Sequence, residues 1–458
     1  PNFAWVIKMA AKDQISDYTH FIQLPLKIVG CWEWFPNTDS EFKIILNNIY
    51  FALVLFVLLN FPIALIVNLY TEWVDIMGSL DKLADGLPLI VSLVVVIYFA
   101  LYREELYDLV KFMNLNFKFH SARGLTNMTM EGSYTSAKKF AYGYTACALF
   151  SVTVYVVLPM GLHLWTHQPL QSWAYMDAER TPYVLMAFLW QCLAQGFVGL
   201  AVGQLGVFFA TNSILLCGQL DLLCCSVRNA RYTGLLQSGL RYKVLLLQNA
   251  GAYAGEIVDD ERHNYIYSKT DLGDSKYHYD KKVVNLPFFG SSSLFFMSPD
   301  IYDSEFDAAT VDALRECARV YQVVATYKDK FEAFVSPLLA LRVVQVTLYL
   351  CTLLYAASVK FELTTVEYLA AVALDIFVYC YFGNQIILQA SRVSTAAYQS
   401  TWPAMGVRAR RLLLNILVAN KRPVTMRAGR FLTMDLHTFV VIIKTSFSYY
   451  TLLDKINH

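Results

Sequence analysis

Between Pro182 and Leu220 the chain runs 39 residues without a charged side chain. As a helix this stretch would reach about 58 Å, nearly twice the roughly 30 Å hydrocarbon core of a bilayer. It is therefore expected to project beyond a membrane or to bend at Gly196, Gly199, Gly203 or Gly206. Six more blocks share its character. Ile44–Tyr70 holds 27 residues and Gly86–Tyr102 holds 17, neither with a charge. Phe140–Trp165 contains only His163, and Ala333–Val359 carries Arg342. Val366–Ala390 carries Glu367 and Asp375, and Phe431–Leu453 carries Asp435 and Lys444. About 20 mostly apolar residues suffice to cross the core, so each block predicts one transmembrane helix. Composition agrees, with 56% hydrophobic and 16% charged residues against about 45–50% and about 25% in soluble domains. The predicted fold class is an all-α membrane protein with seven spans in a lipid bilayer.

Lysine and arginine set the orientation. Four lie in residues 1–43, six in 103–139, thirteen in 221–330 and eight in 391–430. The opposite connections and the tail hold Lys82, Arg180, Lys360 and Lys455. The rule applies best to short loops, yet leaving out 221–330 still gives 18 against 4. The N-terminus is thus predicted inside and, after an odd number of spans, the C-terminus outside. The chain divides into a cytoplasmic segment (1–43), spans one to four (44–220) and a cytoplasmic loop (221–330). Spans five and six (331–390), a cytoplasmic anchor (391–430) and the seventh span with a short external tail (431–458) follow. No cleavable signal peptide is expected, and the start at Pro1 allows for missing residues. None of the nine cysteines falls in an outside loop, so disulfides are not expected. Asn127-Met-Thr129 fits the glycosylation pattern but is predicted inside, hence unused.

No internal repeat is present, which argues against transporters built from duplicated halves. Gly251–Pro299 is rich in Tyr, Asp, Ser, Lys and Gly and reads as a mobile cytoplasmic insertion. Beyond it, Ser304–Phe334 places Val311, Leu314, Ala318, Tyr321 and Val324 at helical spacing, which predicts one long helix leading straight into the fifth span. Residues 103–117 and Arg408–Ile416 are similar, so several spans are expected to extend inward into a helical anchor bundle that holds subunits together. The net charge of +1 gives no reason to expect nucleic acid as a partner. No metal-ligand cluster, phosphate loop or nucleophile–base spacing is recognisable, so neither an enzyme nor a metal or cofactor is expected.

The last quarter carries spaced motifs. Tyr379-Cys-Tyr-Phe-Gly-Asn384, Ser391, Ala396-Ala-Tyr398 and Trp402 resemble the sixth span and following loop of insect odorant receptors. Arg427-Ala-Gly-Arg-Phe431, Leu436-x-Thr438-Phe439 and Lys444-Thr-Ser-Phe-Ser-Tyr-Tyr-Thr-Leu-Leu453 continue the match, and Phe334-Val-Ser-Pro-Leu338 resembles the start of the family's fifth span. Together these cover roughly residues 315–455, about 30% of the chain. The resemblance implies a ligand-gated, non-selective cation channel, built as a tetramer, in the plasma membrane of a sensory neuron. It implies a tuning-type subunit that assembles as a homotetramer or with a common co-receptor. The sister gustatory receptors are a weaker match, because Ser448-Tyr449 is followed by Lys455-Ile456 and not by Gln-Phe. A G-protein-coupled receptor is the alternative of another class. It would need the C-terminus inside, and this chain lacks an Asp-Arg-Tyr triplet in the third span and Asn-Pro-x-x-Tyr in the seventh.

Steps of three or four residues place Thr445, Ser448, Leu452 and Ile456 on one face of the seventh span. The residues alone favour packing of this face against neighbouring helices. The resemblance, which implies a hydrophobic gate near this position, favours hydroxyls along a pore closed by Leu452 and Ile456. Asp375 and Lys444 lie at matching depth and are expected to pair, with an aqueous vestibule around Lys444 as the alternative. Arg342, deeper toward the cytoplasm, is assigned to the inner bundle. A small volatile odorant needs a concave, mostly aromatic pocket, and the resemblance implies one between spans two, three, four and six. Candidate contacts are Val95, Tyr98, Phe99, Leu158, Gly161, Trp165, Gln195, Gly199, Val202, Ile376 and Tyr379.

Overall fold

The computed structural model describes residues 17–36, 39–71, 80–122, 128–166, 183–240, 301–359, 363–422 and 424–457. The Gly251–Pro299 insertion and Asn127 of the glycosylation pattern lie outside the described residues. Short α1 (His20–Val29) precedes α2 (Glu41–Thr71), α3 (Leu80–Leu101), α4 (Arg103–Asn116), α5 (Glu131–Thr166), α6 (Tyr183–Arg228) and α7 (Ala230–Gln237). Then come α8 (Asp307–Val359), α9 (Leu363–Gln399), α10 (Val407–Ala419), the antiparallel hairpin β1 (Arg427–Ala428) and β2 (Leu432–Thr433), and α11 (Leu436–Asn457). The seven apolar blocks fall on α2, α3, α5, α6, α8, α9 and α11. Among the described residues four helices are long and apolar enough to cross a membrane, or five if the bent pair α3 and α4 forms one span.

Lipid-facing and core-facing helices are told apart by their burial. In α2, Ile49, Leu53, Phe56, Ile63 and Ile66 are exposed at helical spacing, while Val54, Val57, Leu58, Phe61 and Leu65 are buried. That is one greasy face for hydrocarbon and one for the bundle. α6 is the hub: 78% of its apolar stretch is buried inside the chain, against 39% for α2. It runs over 46 residues, about 69 Å at 1.5 Å per residue, with no break in the helix at its glycines. α8 likewise carries the predicted long helix in one piece from Asp307 to Val359. The second span does not extend straight inward. The helix breaks at Tyr102 and α4 leaves at 69°, laying Leu106, Leu109, Val110 and Met113 against the bundle.

The segments predicted to share the cytoplasmic side meet at one end. Arg103 pairs with Glu33 and Lys118 with Glu316, while Lys330 Nζ reaches Asp108 Oδ2 at 2.8 Å. The hydrogen bond from Lys330 holds the Asp108 carboxyl below its usual range, and Lys118 does the same for Glu316. Fully buried Arg231 on α7 donates to the carbonyls of Ile301 and Asp303 and to Asp307 Oδ1 at 2.8 Å. Asp307 Oδ1 also accepts from Gly406 N at 3.1 Å. One buried guanidinium thereby ties α7, the start of α8 and the turn before α10 together.

The hairpin before α11 sets where that helix begins. Gly429 and Arg430 both take positive φ, 60° and 68°, the turn geometry that matches the twist of two short strands. Gly429 N donates to Ser336 O and Arg430 N to Ser336 Oγ, both at 3.0 Å. This docks the turn on α8 beside Pro337, whose ring supplies no N–H. On the other side a Cβ on Gly383 would lie 2.1 Å from the Met434 carbonyl oxygen, so only glycine allows α9 to approach this closely. Asp435 Oδ1 accepts from Thr438 N at 2.7 Å, an N-cap bond on the first turn of α11. Asp435 is therefore a cap rather than a charge inside the span.

Candidate functional site

A polar network sits inside the bundle where α5, α6, α8 and α9 converge. The Arg342 guanidinium on α8 contacts the Asp375 carboxylate on α9, with side chains only 3% and 8% exposed. The same guanidinium donates to Gln345 Oε1, one turn along α8. Tyr144 on α5 donates its hydroxyl to Asp375 Oδ1 at 3.2 Å. Tyr379, one turn beyond Asp375, is fully buried with its ring 5.4 Å from that of Phe209 on α6. Gly206 on α6 completes the site: a Cβ there would stand 3.6 Å from both the Tyr144 and the Tyr379 hydroxyl oxygens. Two opposite charges out of water are tolerable only when paired and hydrogen-bonded, and here each holds the other.

This corrects the expected Asp375–Lys444 pair. Asp375 is taken by Arg342, and Lys444 is exposed. The count from sequence compared depth alone, whereas α11 is rotated so that Ile442 and Ser446 face inward, the latter 3.4 Å from Thr347 O on α8. Val441, Lys444, Ser448 and Thr451 therefore share the opposite, uncovered face. Thr445 is half-buried, and both it and Ser448 bond back to their own helix through Val441 O and Lys444 O, at 2.8 and 3.0 Å. The side chains of Leu452, Ile456 and Leu158 lie outside those described. Arg342, assigned to the inner bundle from sequence, belongs instead to the network in the middle of the helices.

The expected pocket residues divide into two groups. Val95 and Phe99 are buried, and Phe99 packs edge-on to Phe208 and Phe334 at 5.7 and 5.3 Å. Tyr98 lies beside them, half-buried, donating to Phe334 O at 2.9 Å. Ile376 and Tyr379 are fully buried on the other flank of α6. Phe208 and Phe209 join the two flanks, since one ring meets Phe99 and the next meets Tyr379. Gln195, Gly199 and Val202 are half-buried along α6, with a Gly199 Cβ position only 2.8 Å from Val152 of α5. Gly161 and Trp165 are not brought in; Trp165 is 86% exposed. A tryptophan near a helix end, uncovered on an apolar surface, suits an interfacial anchor. Sequence reasoning missed Tyr144, Gln345, Phe208 and Phe209, none of which differs in type or spacing from many packing residues around it.

The fold and this network can be set beside known proteins. A sequence model of the family described as 7tm odorant receptors matches residues 80–447. The putative odorant receptor 85e of Drosophila melanogaster is 25% identical over 437 residues, 93% of this chain and 88% of that one. Odorant receptor 83a of the same species is 23% identical over 369 residues, covering 79% and 76%. The insect olfactory receptor OR5 from Machilis hrabei, solved in complex with eugenol, shares the fold with a TM-score of 0.68. That match has 15% identity and covers 96% of this chain and 99% of OR5. Since the family match takes in about four-fifths of the sequence and the relatives align along most of their length, this chain belongs to the insect odorant receptor family, a family of multi-pass membrane receptors and not of enzymes.

Proposed function

We propose that this receptor is an odorant-gated, non-selective cation channel assembled as a tetramer, alone or with a co-receptor. Its seven spans run from a cytoplasmic N-terminus to an external C-terminus, in the plasma membrane of a sensory neuron. The observation that carries the reading is the uncovered face of α11, where Lys444 and Ser448 are exposed on the single chain. A lysine facing mid-membrane hydrocarbon costs about 2.5–3.5 kcal/mol on insertion scales, so Lys444 favours water. Four copies of α11 around an axis would supply that water, with the Thr445 and Ser448 hydroxyls along the conduit. Leu452 and Ile456 then form the constriction that closes by dewetting.

The ligand is a small volatile held between α3, α5, α6 and α9, against Val95, Phe99, Gly199, Val202, Ile376 and Tyr379. That OR5 has been solved in complex with eugenol supports a small organic ligand. Moving a channel from 1% to 99% open takes about 5.5 kcal/mol of differential affinity. Shared over four sites, this is about 1.4 kcal/mol each, a tenfold preference per site for the open state. Expressing the full chain in cells, alone and with a co-receptor, tests the reading with an odorant panel. Ligand-evoked cation current in either condition supports it. Odorant responses that run only through a second messenger, with no conductance of the receptor's own, overturn it.

A further inference from the structure

A cavity of about 40 Å³ lies at the elbow where α3 gives way to α4, walled by the 30–34 turn after α1 and the early turns of α2. Its wall is aromatic: Trp32 meets Tyr107 edge-on at 5.3 Å, and Trp34 meets Tyr50 at 5.6 Å. The acceptors in it are already used. Glu33 accepts from Arg103 and, at 3.2 Å, from the Tyr107 hydroxyl. Burial, and then the Glu33 carboxylate, push that hydroxyl above its ordinary range, so it stays protonated. Asn47 is closed on the main chain of Phe35 by two hydrogen bonds, of 3.1 and 3.3 Å. Donors, by contrast, are left over. Trp32 Nε1 is buried without a hydrogen-bond partner, on a residue 7% exposed. An indole N–H can only donate, and folded interiors satisfy nearly all such groups, so it points to an acceptor from outside the chain. Arg103 spends Nη1 on Glu33 and Nε on Ala100 O, which leaves Nη2. Lys43, one turn before Asn47, stands 5.5 Å over the Phe35 ring. Since Glu33 cancels Arg103, Lys43 makes the rim net positive.

The place of this cavity names its occupant. It opens at the ends of α2 and α3 proposed as cytoplasmic, the level at which inner-leaflet headgroups lie and which tryptophan and tyrosine favour. The surface around it is apolar. Leu24 and Ile28, one turn apart on α1, are 59% and 36% exposed, and Phe42 is 74% exposed. Tyr50 joins α1 to this rim by donating to Ile28 O at 2.7 Å. From there Ile45, Ile49 and Leu53 continue the exposed face along α2. We propose that the cavity seats the phosphate of an anionic glycerophospholipid, whose acyl chains lie on that face of α2. Its size holds about three water-sized groups, enough for a compact headgroup and too little for a chain. The phosphate oxygens accept from Trp32 Nε1, Arg103 Nη2 and Lys43 Nζ, and bonds of this charge-assisted kind are the strong ones. The site is separate from the odorant site proposed above and does not depend on whether the receptor conducts.

Three probes separate headgroup from chain: dioleoyl phosphatidate, dioleoylglycerol and inorganic phosphate. Apparent affinity is read from the concentration dependence of the melting temperature of the full-length protein, purified in a neutral detergent. Phosphatidate should bind about tenfold more tightly than dioleoylglycerol, and inorganic phosphate at matched concentration should give no shift. Trp32→Phe keeps a ring against Tyr107 but removes a donor that bonds nothing in the protein. It should weaken phosphatidate about tenfold. Lys43→Gln, on the surface, should weaken it about fivefold, and it decides the matter should Trp32→Phe fail to fold. Lys139→Gln, equally exposed but on α5, should leave the affinity unchanged. Equal binding of phosphatidate and dioleoylglycerol, or an equal shift from inorganic phosphate, overturns the inference. So does wild-type affinity in Lys43→Gln or in folded Trp32→Phe, or a loss in Lys139→Gln as large as that in Lys43→Gln.

Discussion

Replacing Asp375 with leucine removes one half of a buried ion pair and strands the other. Arg342 is 3% exposed and its partner carboxylate 8%, so the guanidinium has no route to water without moving α8. Breaking a pair of this kind costs about 3–5 kcal/mol. Arg342→Met strands Asp375 instead, and a carboxylate, unlike a guanidinium, can neutralise itself by taking up a proton. Asp375→Leu is therefore the more damaging of the two. The double variant Arg342→Met/Asp375→Leu leaves no charge and should lie within about 1 kcal/mol of wild type, because apolar replacement of a whole buried pair is often neutral. The coupling between the two positions then comes to at least about 2 kcal/mol. The assay is the melting temperature of detergent-purified protein, read by the fraction that stays monodisperse, at one heating rate for all four proteins. Additive losses in the double variant, or a wild-type melting temperature in Asp375→Leu, would refute the reasoning.

Gly383→Ala forces a methyl into the Met434 carbonyl oxygen, 2.1 Å from the ideal Cβ. Backbone must shift, so surface expression should fall sharply, with Gly132→Ala, where a Cβ meets nothing within 4 Å, as the neutral control. Arg231→Ala empties a buried guanidinium site and orphans the carbonyls of Ile301 and Asp303. It should cost about 3–5 kcal/mol and raise protease cleavage near residue 301. Burial pushes the Cys31 and Cys317 thiols up to about 12. The reactive thiolate is then scarce at neutral pH, and its fraction rises only as pH approaches that value. Cytoplasmic application of a charged alkylating reagent at neutral pH should leave both unmodified by mass spectrometry, and rapid labelling of either would contradict their burial.

The architecture was legible because uncharged runs such as Pro182–Leu220 have few alternatives to a long helix. The single helix through Asp307–Val359 followed from the apolar spacing that leads out of the insertion. Its partner prediction, that residues 103–117 extend a span inward, failed at Tyr102, where no proline or glycine announces the break. The site was harder to read. Asp375 and Lys444 matched in depth, but depth is counted along an axis and says nothing of rotation, and each residue turns a helix by about 100°. Gly383 and Ser336 stood inside recognisable motifs, and Asp435 just before one, without an apparent role. Their roles are close backbone contact, docking of a turn and a helix cap, all of which need the tertiary neighbour to become visible. Trp165 shows the converse: an aromatic residue of the right type on the right span is turned away from the bundle.

The central claim is that the receptor itself conducts, and inside-out membrane patches carrying the full chain test it most directly. With the cytoplasmic face in a nucleotide-free bath, no G protein can cycle and no second messenger can be made. Odorant applied to the outer face should still open cation-permeable channels, with openings that cease when odorant is withdrawn. Patches that fall silent without nucleotide, yet respond when GTP is returned to the bath, would contradict the account.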